Sequence, residues 1–283
     1  MRVGIIGASG RMGQWFLRYF VSKGHQVGAY SRSRKTDVKT LGVLEFTTVQ
    51  ECATSSEVIV VSVPIAHTAR VVSEVAMNCS STKTIIEIAS LKRKLVPELK
   101  EIAATGVTVL SVHPLFGPGA DIGMKQAYAL IPISSDQSEE LRRFSKILPD
   151  SRITTVNEES HDKSMGYVLS LTHFVNLAFL SSLTARNGLL EVAGTTFKLQ
   201  VSLAQAILHD EPDLLAALET ENPYFEDILK EFLKNSRNIE SMVKRKDARA
   251  LAGLFASTRE KIRESESFLS SYTSMYEILN RNE

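Results

Sequence analysis

Val3-Gly4-Ile5-Ile6-Gly7-Ala8-Ser9-Gly10-Arg11-Met12-Gly13 decides how the rest of the 283-residue chain is read. An apolar run breaks into a turn of small residues at Gly7, Gly10 and Gly13. Trp15, Phe16, Tyr19 and Phe20 then recur at helical spacing. Strand, tight turn and helix therefore follow in order, and that order marks a binding place for a pyrophosphate. Glycine lets the backbone approach phosphate oxygens, while the N–H groups and the positive end of the new helix face the anion. The cofactor cradle comprises Gly7, Ala8, Ser9, Gly10, Arg11, Met12 and Gly13. Ala8 stands where the usual Gly-x-Gly-x-x-Gly register has its first glycine, with Gly7 one place earlier. The plain alternative is a glycine-rich turn that merely opens an α/β domain.

Beyond the first helix, Gln26 to Tyr30 reads as a second strand, and the residues after it select the cofactor. An acidic side chain there would accept from the adenine ribose hydroxyl and repel a 2′-phosphate. The sequence has instead Ser31-Arg32-Ser33-Arg34-Lys35. Hydroxyls and cations at that place favour NADP, with NAD as the second possibility, because an arginine fork pairs with phosphate oxygens. A solvated basic loop is the alternative.

Glu57 to Pro64 is a nearly continuous apolar run, as expected of a parallel strand buried on both faces. Its end, Ser62, Val63 and Pro64, falls at the sheet edge where such folds bind nucleotides. Thr84 to Ile88 and Val107 to Val112 read as further buried strands, with a helix over Leu95 to Ala104. This alternation predicts an α/β, Rossmann-type, doubly wound parallel sheet. After Asp150 the texture changes. Val168, Leu171, Phe174, Val175, Ala178 and Phe179 form one helical stripe, and Phe225, Ile228, Leu229, Phe232 and Leu233 another. We therefore expect a dinucleotide-binding domain over residues 1–152 and an all-α domain over 153–283. The broad apolar faces of the second predict a homodimer joined through it.

The 33 basic and 32 acidic residues leave a net charge of +1, which gives no general attraction to nucleic acid or acidic membranes. Cys52 and Cys79 stand in no metal-ligand spacing, so neither a disulfide framework nor a metal site is expected. The first residues run directly into a strand, without a charged-then-apolar leader, and no apolar run in the sequence reaches spanning length. A cytoplasmic protein acting on a small molecule is the expectation.

Two stretches that follow predicted strands carry polar groups to the cofactor edge. They are Ile88-Ala89-Ser90-Leu91-Lys92 and Ser111-Val112-His113-Pro114-Leu115-Phe116-Gly117-Pro118. A histidine just past a buried strand suits general acid–base work, since its unperturbed pKa lies near neutrality. Ser90 could share its hydrogen bond.

With the glycine turn, Val60-Val61-Ser62-Val63-Pro64-Ile65, His161-Asp162-Lys163-Ser164-Met165 and Leu171-Thr172-His173-Phe174, these stretches resemble the prephenate dehydrogenases over nearly the whole chain. The resemblance implies a substrate with a cyclohexadienol ring and two carboxylates. Hydride passes to a nicotinamide from the carbon that bears the hydroxyl, and the ring carboxylate leaves as carbon dioxide. On the same resemblance His113 accepts the hydroxyl hydrogen bond or proton and Ser90 holds that hydroxyl. Lys92, counted in the expected substrate-binding set, orders the loop under the nicotinamide, and His173 reaches the substrate from the helical domain.

One departure stands out in Thr195-Thr196-Phe197-Lys198-Leu199-Gln200. Where the family places a carboxylate-clamping arginine, this chain has Lys198, with Gln200 beside it in the expected substrate set. Lysine keeps the charge and loses the planar fork. Arogenate, or the amino-substituted analogue of prephenate, is therefore an alternative substrate. Two other enzyme families are weaker fits. The dihydrodipicolinate reductases share the glycine turn, but their paired-histidine loop is not found here. The β-hydroxyacid dehydrogenases share the domain plan, but their catalytic lysine has no counterpart in Met165 to Asn187. A nucleotide-binding sensor without turnover is the alternative of another class.

Overall fold

β1 (Arg2–Ile6) lies inside an eight-stranded sheet, in the computed structural model that describes residues 1–32, 42–186 and 188–280. The chain continues through α1 (Arg11–Ser22), β2 (Gln26–Tyr30), β3 (Leu44–Glu45), α2 (Val49–Ser55), β4 (Val58–Val61) and α3 (Thr68–Ala76). It then forms β5 (Thr84–Glu87), α4 (Leu95–Ala103), β6 (Thr108–Pro114), β7 (Gln126–Ile131), α5 (Gln137–Ile147), β8 (Ser151–Thr155) and α6 (Glu158–Met165). The strand order is β3-β2-β1-β4-β5-β6-β7-β8. The six strands from β3 to β6 are parallel, which is the dinucleotide-binding order. The sheet is not wholly parallel, however. β7 runs antiparallel to β6, with Val112 opposite Leu130 and His113 opposite Ala129, and β8 is parallel to β7.

The strand sequences explain why helices cover both faces. Side chains alternate across a strand, so an unbroken apolar strand needs two cores. In β4, Val58 and Val60 enter one core with Trp15, Phe16, Phe20, Tyr128 and Phe144, while Ile59 and Val61 enter the other with Val72, Val75, Val96 and Leu99. Local caps fix where helices begin. Thr48 accepts from the Glu51 N–H at 3.0 Å, and Asp136 accepts from Glu139 N at 2.9 Å.

Backbone contacts divide the chain into compact units at Met165/Gly166. The division expected after residue 152 cuts through β8, whose residues 151–155 pair with β7. The sheet thus claims this strand, and α6 after it belongs to the first unit. The sequence conceals β8 because Ser-Arg-Ile-Thr-Thr at a sheet edge has no apolar run.

In the second unit a π-helical segment, Gly166–Leu171, leads into α7 (Thr172–Leu183). α8 (Thr195–Ile207), α9 (Pro212–Thr220), α10 (Phe225–Lys244), α11 (Ala248–Ile262) and α12 (Glu266–Asn280) follow. Pro212 opens α9, where its missing N–H costs nothing. Continuous helix runs through 158–183, and its most apolar 18-residue window has a mean hydropathy of 1.3. By length and composition this helix is sufficient to cross a membrane, contrary to the expectation that no stretch would be. Only 17% of that window is buried within the chain.

Candidate dinucleotide and catalytic site

The glycine turn is built for close approach. A Cβ on Gly7, whose φ is +84°, would lie 1.9 Å from the Ser62 carbonyl oxygen, and one on Gly13 would lie 2.3 Å from the Gly7 carbonyl. Both positions thus require glycine: the first to bring β1's turn against the end of β4, the second to seat α1 on that turn. Gly10 is the N-cap of α1, no side chain caps the helix start, and no acidic residue occupies its first turn. A cradle with these features fits the phosphates of a dinucleotide.

The end of β2 is pinned to this turn, because Gly7 N and Ala8 N both donate to the Tyr30 carbonyl, at 2.9 and 3.2 Å. The Ser9 and Ser31 hydroxyls lie 2.5 Å apart, and exposed Arg32 follows. Ser9 and Ser31 are therefore brought together at the end of β2, where an adenine ribose would lie, with Arg32 next in the chain and no acidic side chain at position 31. Ser33 falls outside the described residues. Ser62, Val63 and Pro64 directly follow β4, with the Ser62 carbonyl and Val63 against Gly7 of the turn.

Three strands along the same edge, about 14 Å from β1 at the usual strand spacing, stands His113. Glu87 of β5 pairs with Ser111 of β6, so Ser90, just past the end of β5, and His113, next to last in β6, both follow a shared rung. Ser90 is half-buried and His113 is buried. His113 Nδ1 lies 3.0 Å from His161 Nε2, and His161 Nδ1 lies 2.7 Å from Asp162 Oδ1. Asp162 in turn accepts from Lys92 N at 2.9 Å and Arg93 N at 2.8 Å.

These contacts assign the tautomers. A carboxylate only accepts, so His161 Nδ1 carries the proton; its bare Nε2 accepts from His113 Nδ1–H, and the basic lone pair of His113 lies on Nε2. Burial first, and then the neighbouring His161 and Lys92, push the His113 pKa well below the ordinary value of 6.5. The imidazole is thus held neutral, in the form that accepts a proton.

Lys92 does not do what its place in the sequence suggested. Its ammonium is wholly buried and donates to Glu87 Oε1 at 2.6 Å and to the Val112 carbonyl at 2.8 Å. Glu87 also accepts from the Ser111 hydroxyl and from Ala89 N. Lys92 therefore cannot touch a ligand. It is a brace, tying β5 to β6 beneath His113 and, through its own N–H, holding Asp162. Burial lowers its pKa, against the opposing pull of Glu87 and Asp162.

Of the expected substrate residues in the second unit, His173 is half-buried on α7, and its Nδ1 is buried without a hydrogen-bond partner among the described residues. Burial lowers the His173 pKa, and the nearby Asp210 charge raises it. Lys198 is exposed in the first turns of α8. Gln200 is engaged structurally: its Nε2 donates to Asn176 Oδ1 at 2.7 Å and links α8 to α7.

Two family descriptions match this chain: "Prephenate dehydrogenase, nucleotide-binding domain" over residues 18–152 and "Prephenate dehydrogenase, dimerization domain" over 157–257. The chain belongs to the prephenate dehydrogenase family. A "probable arogenate/prephenate dehydrogenase" of Methanocaldococcus jannaschii is 30% identical over 260 residues, which cover 87% of this chain and 58% of that protein. The "T-protein" of Haemophilus influenzae is 25% identical over 256 residues, 83% of this chain and 63% of the relative. The chain thus spans about three fifths of the length of these curated relatives. The fold matches the crystal structure of Aquifex aeolicus prephenate dehydrogenase in complex with hydroxyphenyl propionate and NAD+. There the TM-score is 0.75 at 19% identity, covering 93% of this chain and 98% of that one. Synechocystis arogenate dehydrogenase gives a TM-score of 0.67 at 17% identity, covering 93% and 99%.

The first family match begins after the glycine turn, so the phosphate cradle stands on its own geometry. In the sequence His161-Asp162 stand out only as part of a family motif, with no chemical role for the pair, and Glu87 is not among the expected site residues. A buried strand residue that is acidic, within Thr84-Ile85-Ile86-Glu87, was the available signal, since such a charge needs a partner.

Proposed function

We propose that the chain oxidatively decarboxylates prephenate to 4-hydroxyphenylpyruvate with NADP as the preferred hydride acceptor. The observation that carries this reading is the Asp162–His161–His113 relay, which leaves a buried neutral imidazole with Nε2 as base. Bound dinucleotide supplies the acceptor for the hydride. His113 Nε2 takes the hydroxyl proton while the ring carboxylate leaves as carbon dioxide. His161 and Asp162 hold the imidazole in the right tautomer, and the Ser90 hydroxyl orients the substrate hydroxyl. A sensor without turnover has no use for this relay, and the reading disfavours it.

NADP preference rests on Ser9, Ser31 and Arg32. Arg32→Ala is expected to raise the NADP Kd about tenfold, as for a lost charge-assisted phosphate contact, and to leave the NAD Kd nearly unchanged; calorimetry with each dinucleotide distinguishes them. Equal effects on both would remove the 2′-phosphate assignment.

For the substrate carboxylate we propose Lys198 as anchor, with His173 as a second contact. An ammonium gives charge without bidentate geometry, so arogenate or the amino-substituted analogue of prephenate is the second reading. A homodimer through the second unit accounts for its exposed Leu177, Leu203, Phe255, Leu269 and Tyr272 and for the apolar face of the 158–183 helix, better than a membrane would. His161 and Asp162 sit buried in the first unit at one end of that helix. We place the enzyme in the cytoplasm, with its small-molecule substrate.

The test is reduction of NADP and of NAD by the purified protein, with prephenate and arogenate offered separately. Turnover of prephenate with NADP is the expected result. Turnover of arogenate alone keeps the relay and reassigns the side-chain pocket, and turnover of neither overturns the reading.

A further inference from the structure

Trp15 is the sole tryptophan of the chain and is fully buried, one turn into α1. A buried indole N–H needs an acceptor. It finds one outside its own layer: Nε1 donates to the Ala120 carbonyl at 2.8 Å. Ala120 belongs to the loop from Leu115 to Lys125, which connects β6 to β7 and begins just after His113-Pro114. The ring also packs against Phe116 of that loop, with centroids 4.6 Å apart, and Phe116 meets Tyr128 at 5.3 Å.

The loop's other hydrogen bonds run within it and to the first residues of β7. Ala120 N donates to Gly117 O at 3.0 Å, Gly123 N to Asp121 Oδ1 at 2.8 Å, and Gln126 Nε2 to Asp121 O at 2.7 Å. One attachment is the strand pair holding His113, where Leu115 N donates to Ala127 O at 2.9 Å. Phe116 and Ile122 also pack on the first core, and a further attachment is Trp15, whose helix is seated on the glycine turn through the close contact at Gly13.

We infer that Trp15 is a positioning residue, holding the loop that follows His113 against the helix that starts at the dinucleotide cradle, so that filling the cradle orders this loop. The inference rests on the functional reading above only in taking that cradle as a dinucleotide site.

The experiment is hydrogen exchange of residues 115–125 in the full chain, alone and with saturating NADP, for the native protein and Trp15→Phe. In the native protein the loop amides are expected to slow at least about fivefold on adding NADP, the low end of ordinary coupling between sites. In Trp15→Phe the loop exchanges faster without ligand and responds less than about twofold to NADP, while the NADP Kd stays within about threefold. Should the phenylalanine variant fail to fold, biosynthetic replacement of the single tryptophan by benzothienylalanine removes the N–H and keeps the ring's shape, with the same loss of coupling expected. Equal NADP-dependent protection with and without the indole N–H, or no protection in the native protein, overturns the inference. Native protein that binds no dinucleotide fails one step earlier, in calorimetry, and overturns the functional reading with it.

Discussion

His113→Asn is expected to bind NADP with native affinity and to lose about 10²–10⁴-fold in kcat, the usual contribution of a positioned general base. Asparagine keeps an amide donor within reach of His161 Nε2, which His113 Nδ1 now meets at 3.0 Å, but it offers no basic nitrogen for the substrate hydroxyl. The relay and the packing then survive while the chemistry does not. Steady-state reduction of the dinucleotide gives kcat, and calorimetry gives the cofactor Kd. A parallel fall in cofactor affinity would make His113 a structural residue of the nucleotide domain.

The second large effect falls on stability. Lys92 and Glu87 are both 0% exposed and meet at 2.6 Å. Removing one partner of such a pair leaves a bare buried charge, so Lys92→Met is expected to cost about 3–5 kcal/mol in urea unfolding. The double variant Lys92→Met, Glu87→Gln should recover much of that loss, because an amide can still accept from Ser111 and carries no charge. A lysine that served the substrate instead would give a raised KM in a normally stable protein, and no rescue by the second change.

The contrast between Lys92 and His113 shows what is legible in the sequence. The glycine turn, α1, β4, β5 and most of β6 could be read directly, since unbroken apolar runs and close-packed glycines have few alternatives. β3 could not, being two exposed residues at an edge. The direction of β7 depends on the path of the loop from Leu115 to Lys125, which no local pattern encodes. His113 was legible because the end of a strand in this fold has a known edge. The depth of Lys92 was not, because a lysine near that edge looks the same whether it meets a ligand or a buried carboxylate 5 residues earlier in the chain. His161 and Asp162 join the site from 48 and 70 residues away, by their contacts to His113 and Lys92. That adjacency exists only after α6 folds back on the sheet.

The pH dependence follows from the environment of His113. Its pKa is depressed in the folded chain, so the imidazole is neutral both above and somewhat below the ordinary value of 6.5. As pH falls below 6.5 the unfolded chain takes up a proton that the folded chain refuses, so stability is present above that value and declines on the acid side, down to the depressed folded pKa. Activity is expected to have the same sign, because in the proposed mechanism the free base is the working form.

The most direct measurement is kcat/KM against pH for NADP-linked oxidation of prephenate, from neutrality into acid. We expect dehydrogenation whose acid limb lies below pH 6.5, since kcat/KM reports the base of the free enzyme. An acid limb at or above 6.5, or no oxidation of the cyclohexadienol at any pH, would contradict a buried neutral His113 acting as the base.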